Sequence, residues 1–229
     1  MKIVFAPDWF LTTDVTIEFF SFIVLLIFFI LCNKSYKTSG NKKTKNLGRG
    51  FLLISLAQLA TILTKFVLYD NSTAMHNIGD VMVAYNVVKS IDIFYYIGFF
   101  FHRLLTLLGL YLIYRIYLTK KSETDMLLVS YFLIVSVFIS QFFYYIFHLS
   151  ALILLILIIW NYCKVYKKNK NINTKRLIIA LGIMAFAQLV FIFSIVKQLY
   201  IAGQILELVS YLILLSLIIR ILKYGKEKN

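Results

Sequence analysis

The chain has 229 residues, of which 61% are hydrophobic and 15% are charged, and its mean hydropathy is +0.85. Soluble domains are about half apolar and about a quarter charged, so this composition excludes an ordinary soluble protein and indicates a polytopic membrane protein. The net charge of +14 would suggest nucleic-acid binding in a soluble chain, but here the basic residues lie between apolar segments. We therefore interpret the charge through the positive-inside rule and expect no nucleic-acid partner.

The first three apolar segments are each long enough to cross a bilayer, which requires about 20 helical residues. After an N-terminal tail at 1–14, they are Val15–Cys32 (span 1), Phe51–Tyr69 (span 2) and Ile93–Ile116 (span 3). Spans 1 and 2 are joined by Asn33–Gly50, which carries five Lys residues, one Arg and no acidic residue. We expect this segment to be a cytoplasmic basic loop.

The next apolar segment, Met126–Cys163, has 38 residues without a charged side chain, with His148 taken as neutral. A single helix of that length would extend ~57 Å, nearly twice the thickness of the hydrocarbon core. We therefore predict two helices, span 4 and span 5, joined by a tight turn. We place the turn within the aromatic run Phe142–His148, because aromatic residues suit the membrane interface.

A second basic loop, Lys164–Arg176, separates span 5 from span 6 (Leu177–Val196), and span 7 (Tyr200–Lys223) follows closely. Most of the 24 Lys and Arg residues fall on one side if both basic loops, the segment between spans 3 and 4 and the tail at 224–229 lie together. Only an odd number of spans achieves this. We predict seven transmembrane helices in the cell membrane, with the N-terminus outside and the C-terminus cytoplasmic.

Two sequence matches indicate an internal repeat. An offset of 105 residues pairs His102 with Glu207, and an offset of 130 residues superposes the tripeptide AQL around Gln58 on the same tripeptide around Gln188. The predicted fold is therefore all-α, with two parallel three-helix repeats related by an axis along the membrane normal. The repeats are residues 15–118 and 145–223, joined by a linker helix at 119–144.

This plan resembles the 3+1+3 architecture of seven-helix sugar transporters, microbial opsins and related receptors, and it is similar to small seven-helix membrane proteins of archaea and related microbes. The resemblance covers the whole chain but concerns architecture alone. An opsin needs a lysine in the middle of span 7, and none lies between Tyr200 and Leu222. Sugar transporters carry helix prolines, whereas the single proline here is Pro7. The resemblance implies a seven-helix bundle and no particular ligand.

Polar residues inside the spans form the candidate ligand site, because ionisable groups in a membrane are costly and mark functional positions. Glu207 lies on a polar face of span 7, and His102 holds the equivalent position in span 3, beside Arg103. We predict that Glu207 pairs with either Arg103 or His102 across the bundle. The other predicted ligand-binding residues are Gln58, Gln188, Gln204, Ser210 and Tyr211.

Two functional hypotheses follow. The first is a protein that binds or transports a small solute through this polar site between the repeats. The second is a non-enzymatic sensor, receptor or membrane scaffold acting through its basic cytoplasmic face, where anionic lipids or a cytoplasmic protein would bind. The same polar residues also suit simple helix packing, and a homo-oligomer is compatible with either hypothesis. We predict no catalytic residue, metal ligand or cofactor, because the three histidines lack metal-binding spacing and no nucleophile or phosphate-loop motif is present.

Overall fold

The computed structural model is all-α and describes the backbone of residues 11–74, 81–117 and 123–226, with side chains described for 13–66, 95–116, 127 and 129–223. Most of the predicted N-terminal tail (1–10) and the start of the predicted linker (119–122) lie outside the described residues. Within the described ranges there are seven α-helices and, after the third, a short 3₁₀ turn at Arg115–Tyr117. The helices are α1 (Leu11–Ser39), α2 (Lys42–Ala74), α3 (Val81–Tyr114), α4 (Glu123–Ser140), α5 (Tyr144–Asn169), α6 (Ile172–Ile192) and α7 (Lys197–Lys226).

Six of these helices, all except α4, are long and apolar enough to cross a membrane. Large apolar side chains are exposed on the outer faces, including Phe66 at 61% and Trp160 at 63%, whereas the charged side chains of Asp14, Glu18 and Lys65 are buried. This distribution is the reverse of that in a soluble protein and fits a lipid bilayer. A multi-pass helical membrane protein is therefore supported by helix length and composition. The apolar stretch of α4 in the described residues, Val129–Ser140, is shorter.

The six long helices pack as a closed ring. α1 packs on α2 and α7, α2 on α3, α3 on α5, α5 on α6, and α6 on α7. α4 lies outside this ring and packs on α3 and α5. The centre of the ring is filled by an apolar core in which Leu25, Leu107, Leu155 and Leu214 are fully buried. The core therefore contains residues from both halves of the chain, which hold the ring together.

The predicted split of Met126–Cys163 into two helices is confirmed. α4 ends at Ser140 and α5 begins at Tyr144, so the turn starts one residue before the predicted aromatic run. At the other end of the chain, α1 begins at Leu11 rather than at the predicted Val15. This earlier start places Asp14 on a helix instead of in a tail.

The two predicted basic loops are mostly helical, so their assignment as loops is wrong. Only residues 40–41 separate α1 from α2, and only residues 170–171 separate α5 from α6. Lysine is a good helix former and does not end a helix, and for that reason the helices continue through the charged segments. Gly40 and Lys170 reverse the chain with left-handed backbone angles, φ 67° and φ 48°. We call residues 40–41 and 170–171 the basic turns, and their side of the bundle the basic end.

Glycines let neighbouring helices approach closely. A Cβ atom on Gly109 of α3 would lie 2.6 Å from the carbonyl oxygen of Gly50 on α2, a distance that no side chain tolerates. A Cβ atom on Gly203 of α7 would lie 2.6 Å from the ring of Phe191 on α6. Small residues serve this purpose in membrane helices, where packing rather than water drives association.

Candidate functional site

A buried lysine bridges α1 and α2 in the half of the bundle opposite the basic turns. The ammonium of Lys65 on α2 donates hydrogen bonds to the carboxylates of Asp14 and Glu18 on α1, with 2.6 Å between Nζ and Glu18 Oε1. The two acids are four residues apart, so they lie on one face of the helix. Side-chain exposure is 8% for Lys65, 0% for Asp14 and 5% for Glu18. Because water scarcely reaches these ions, each depends on the others for compensation.

Tyr200 and Gln204 connect this ion cluster to α7. The Tyr200 hydroxyl accepts a hydrogen bond from Lys65 Nζ at 3.1 Å and donates one to Asp14 Oδ1 at 3.0 Å. Gln204, one turn along α7, donates from Nε2 to the same hydroxyl at 3.0 Å. The lysine cluster, as we call it, thus joins three helices and consists of Asp14, Glu18, Lys65, Tyr200 and Gln204.

Glu207 lies one turn beyond Gln204 on α7 and is half-buried. Its Oε1 accepts a hydrogen bond from the Tyr211 hydroxyl at 2.6 Å. Gln58 of α2 lies near the same hydroxyl, and Glu207 is within electrostatic range of Glu18 on α1. Four predicted site residues, Gln58, Gln204, Glu207 and Tyr211, therefore do lie together beside the lysine cluster.

A histidine group lies across the ring on α3, α5 and α6. A hydrogen bond of 2.9 Å joins His148 Nδ1 on α5 to Gln188 Oε1 on α6, and His102 of α3 is within electrostatic range of His148. The His148 ring stacks on Phe191 with ring centroids 5.1 Å apart, and Phe191 contacts the ring of Tyr200 at 5.9 Å. Phe191 therefore links the histidine group to the lysine cluster.

Arg103 is held away from Glu207. Its Nη1 donates to the carbonyl oxygen of Ser140 at 2.7 Å and to the Ser140 hydroxyl at 3.2 Å. The carbonyl groups at the end of a helix lack partners within the helix, so an arginine there stabilises the C-terminus of α4. Among the described side chains, Glu207 forms neither of the ion pairs predicted for it, with Arg103 or with His102. Its hydrogen-bond donor, Tyr211, is instead on its own helix.

Ser210 has a structural contact. Its hydroxyl donates to the carbonyl oxygen of Ala180 on α6 at 2.8 Å, and both residues are buried. This bond fastens α7 to α6, which is the packing role that the sequence left open for polar residues. Ser210 is thus separate from the residues that gather around Glu207.

Two buried polar atoms of the described side chains have no hydrogen-bond partner: Glu18 Oε2 and Thr106 Oγ1. Glu18 is 3% exposed, and Thr106, one turn from His102 on α3, is 7% exposed. Buried polar atoms are nearly always hydrogen-bonded, and each exception needs an explanation such as a bound ion, a water molecule or a ligand. The two atoms therefore mark positions where a bound species would complete the hydrogen bonding.

Asp14 and Lys65 are absent from the predicted site residues, because Asp14 was assigned to the N-terminal tail at 1–14. The available signal was the four-residue spacing of Asp14 and Glu18, together with a lysine near the same end of span 2. Among the described residues, no group of three or more His, Cys, Asp or Glu side chains is arranged to bind a metal ion.

A separate cavity of about 180 Å³ lies at the basic end, next to both basic turns. Its lining includes Lys43 and Thr44 of α2, Asn173 and Thr174 of α6, and apolar residues of α7 such as Leu217. The cavity lining is at least ten residues along each helix from the lysine cluster, so the two features are distinct.

Comparison of the chain with models of protein families, with curated protein sequences and with solved structures finds no match in any of the three. The geometry of the polar site is therefore the basis for a functional interpretation.

Proposed function

We propose that the chain binds and transports a small polar solute across the cell membrane, through a site inside the ring between α1–α3 and α5–α7. One observation carries this proposal. Each of the six ring helices contributes a polar side chain to the half of the bundle opposite the basic turns. They are Glu18, Gln58 and His102 from α1–α3, and His148, Gln188 and Glu207 from α5–α7.

These six residues are related in pairs by the two sequence offsets. The offset of 130 relates Glu18 to His148 and Gln58 to Gln188, and the offset of 105 relates His102 to Glu207. Each three-helix unit thus supplies one glutamate, one glutamine and one histidine, with the glutamate and histidine exchanged. The helix contacts of the ring support a two-fold relation between the two units. If α1, α2 and α3 are exchanged with α5, α6 and α7, the α1–α2 contact becomes α5–α6, α2–α3 becomes α6–α7, and α1–α7 becomes α5–α3. All of these contacts are present. Transport proteins built from repeats bind their solutes at such an interface.

The basic turns give independent support for the repeat. Asn41 and Asn171 each accept a hydrogen bond from the backbone N–H two residues later, which caps the following helix. The residue before each asparagine donates its N–H to the carbonyl oxygen of a tyrosine four residues earlier. The two turns are again 130 residues apart.

The proposed topology has seven crossings with a cytoplasmic basic end. α4 has 18 residues and is therefore ~27 Å long, close to the thickness of about 30 Å that a spanning helix must cover. Both basic turns and the C-terminal end of α7 then lie on the cytoplasmic side, as the positive-inside rule favours. The proposal includes no catalytic step.

The chemistry of the site favours a solute with hydrogen-bond donors. Glu207 contributes carboxylate oxygens, one of which already accepts a hydrogen bond from Tyr211. The Thr106 hydroxyl, buried without a partner among the described side chains, can donate to the solute or accept from it. Small amines and polyols combine these properties, and a hydrocarbon solute does not.

The test is a thermal-shift screen of detergent-purified protein against small amines, amino acids and polyols, run in parallel on the parent and on Glu207→Gln. A solute present at 100 times its Kd should stabilise the parent by about 2.7 kcal/mol, because it binds the folded state alone. The stabilisation should be lost or strongly reduced in Glu207→Gln. Uptake of the same solute into proteoliposomes then distinguishes transport from binding.

Ser210→Ala is the matched control, because Ser210 is on the same helix but bonds only the backbone of α6. It should lower the melting temperature without changing the solute-induced shift. If no solute of these classes stabilises the parent, and Glu207→Gln melts well below it, the polar residues serve helix packing and the proposal is refuted.

The cavity at the basic end favours a second candidate function, a sensor or scaffold acting at that face. Lys43 and two threonines of the cavity lining suit an anionic group. Under this hypothesis, Lys43→Gln should weaken binding to vesicles that contain anionic lipid by about 1 kcal/mol, whereas Glu207→Gln should leave that binding unchanged.

A further inference from the structure

The two carboxylates of the lysine cluster differ in their hydrogen bonding. Both oxygens of Asp14 accept hydrogen bonds: Oδ2 from Lys65 and Oδ1 from the Tyr200 hydroxyl. In Glu18, Oε1 accepts from Lys65 at 2.6 Å, and Oε2 has no partner. Asp14 is therefore fully compensated as a carboxylate, whereas Glu18 has one buried oxygen with nothing to stabilise a negative charge.

The charges around Glu18 do not balance. Within the residues that the structure describes, the helices that pack closely on α1 are α2 and α7. Among the described side chains, the charged or titratable groups near Glu18 on these helices are Asp14 on α1, Lys65 on α2, and Tyr200 and Glu207 on α7. One ammonium thus serves two carboxylates four residues apart, with a third carboxylate nearby. An uncompensated buried charge costs several kcal/mol, so one more positive charge would stabilise the cluster formed by the described side chains.

A proton fits this requirement better than a metal ion. The Lys65 ammonium already occupies the position between the two carboxylates that a bridging cation would need. Within the described residues, no metal-binding group of acidic, histidine or cysteine side chains includes Glu18. A proton on Oε2 needs no coordination shell, neutralises the carboxylate and converts the unpartnered oxygen into a hydrogen-bond donor.

We propose that Glu18 is a proton-binding site, with the proton on Oε2 and with Asp14 and Lys65 remaining as the ion pair. Binding converts the Glu18 carboxylate and one proton from solvent into a carboxylic acid, and release reverses this. The site lies on α1 within electrostatic range of Glu207, in the proposed solute site. In one respect the inference rests on the proposed function: coupling of this proton to solute movement requires that a solute is transported.

Infrared spectroscopy of the purified protein tests the site without a solute. The difference spectrum of the parent minus Glu18→Gln, recorded at neutral pH, should show the C=O stretching band of a protonated carboxylic acid, and this band should shift in D₂O. Carboxylate stretching bands in its place would overturn the proposal. The control is Glu207→Gln, whose own spectrum should retain the Glu18 acid band. Loss of that band in Glu207→Gln but not in Glu18→Gln would place the proton on Glu207.

Two further variants make the result independent of the folding of Glu18→Gln. Glu18→Asp keeps an acid and should move the band rather than remove it. Asp14→Asn leaves one carboxylate for one ammonium, so Glu18 should lose its proton and the acid band should be replaced by carboxylate bands. An acid band that persists in Asp14→Asn would refute the charge-balance reasoning. If a solute raises the melting temperature but the infrared spectrum shows no acid band, only the proton site is overturned. If the acid band is present but no solute raises the melting temperature, only the solute site is overturned.

Discussion

Replacing Lys65 with methionine should destabilise the protein strongly, because Asp14 would remain as a buried carboxylate without a cation. The Lys65 side chain is 8% exposed and the side chains of its two acidic partners are 0% and 5% exposed, so water cannot take the place of the ammonium. Removal of one member of a buried ion pair costs about 3–5 kcal/mol. For a chain of this length, that loss lowers the melting temperature by roughly 6–20 °C. Methionine is similar in length and volume to lysine, so little of this effect would come from a cavity.

The assay is the apparent melting temperature in detergent at one fixed scan rate, because membrane proteins often unfold irreversibly. Lys65→Arg keeps the positive charge and should retain most of the stability. The triple variant Asp14→Asn, Glu18→Gln, Lys65→Met removes all the charges together and should recover most of the loss, because no unpaired charge remains. The reasoning is refuted if Lys65→Met melts with the parent, or if the triple variant is no more stable than Lys65→Met.

Four other predictions concern packing, capping, hydrogen bonding and topology. Gly109→Val should lower the free energy of unfolding by about 1–3 kcal/mol or more, because it forces α2 and α3 apart. Gly182→Ala has open space around the added Cβ atom and should change stability by at most about 1 kcal/mol. Equal effects of the two substitutions would contradict the close contact. Asn171→Ala should lower stability by about 1 kcal/mol through loss of the helix cap, as measured by thermal unfolding. Tyr211→Phe removes the hydroxyl that donates to Glu207 and should cost about 1–3 kcal/mol; an unchanged melting temperature would argue against that bond. A fluorescent protein fused to the C-terminus should fluoresce in intact cells, and a fusion that matures only on the other side of the membrane would reverse the proposed topology.

The broad architecture was predictable from the sequence because bilayer thickness imposes a length on each apolar segment. The uncharged run from Met126 to Cys163 is too long for one helix, and the structure divides it at residues 141–143. Helix ends were less predictable. The segment around Lys34 and Lys37 is as compatible with a helix as with a loop, and only Gly40 marks the reversal of the chain.

The partners of the site residues could not be predicted, because they depend on which helices are neighbours. Arg103 bonds a main-chain carbonyl group of α4, and a carbonyl group has no signature in the sequence. Lys65 meets Asp14 only because α1 and α2 are antiparallel neighbours with almost no loop between them. Glu207 was selected as a polar group inside span 7, but the donor that satisfies it, Tyr211, is on the same helix.

The short basic turns have a consequence for how the protein sits in membranes of different thickness. α1 has 29 residues and α2 has 33, so they are ~44 Å and ~50 Å long and exceed a hydrocarbon core of about 30 Å. Because the helices continue through the lysine-rich segments, these lysines are fixed to rigid rods and cannot adjust their height as residues of a flexible loop can. Hydrophobic mismatch is then relieved by helix tilt. A thicker bilayer brings the lysines of the basic end down to the lipid phosphates, and a thinner one lifts them into the water.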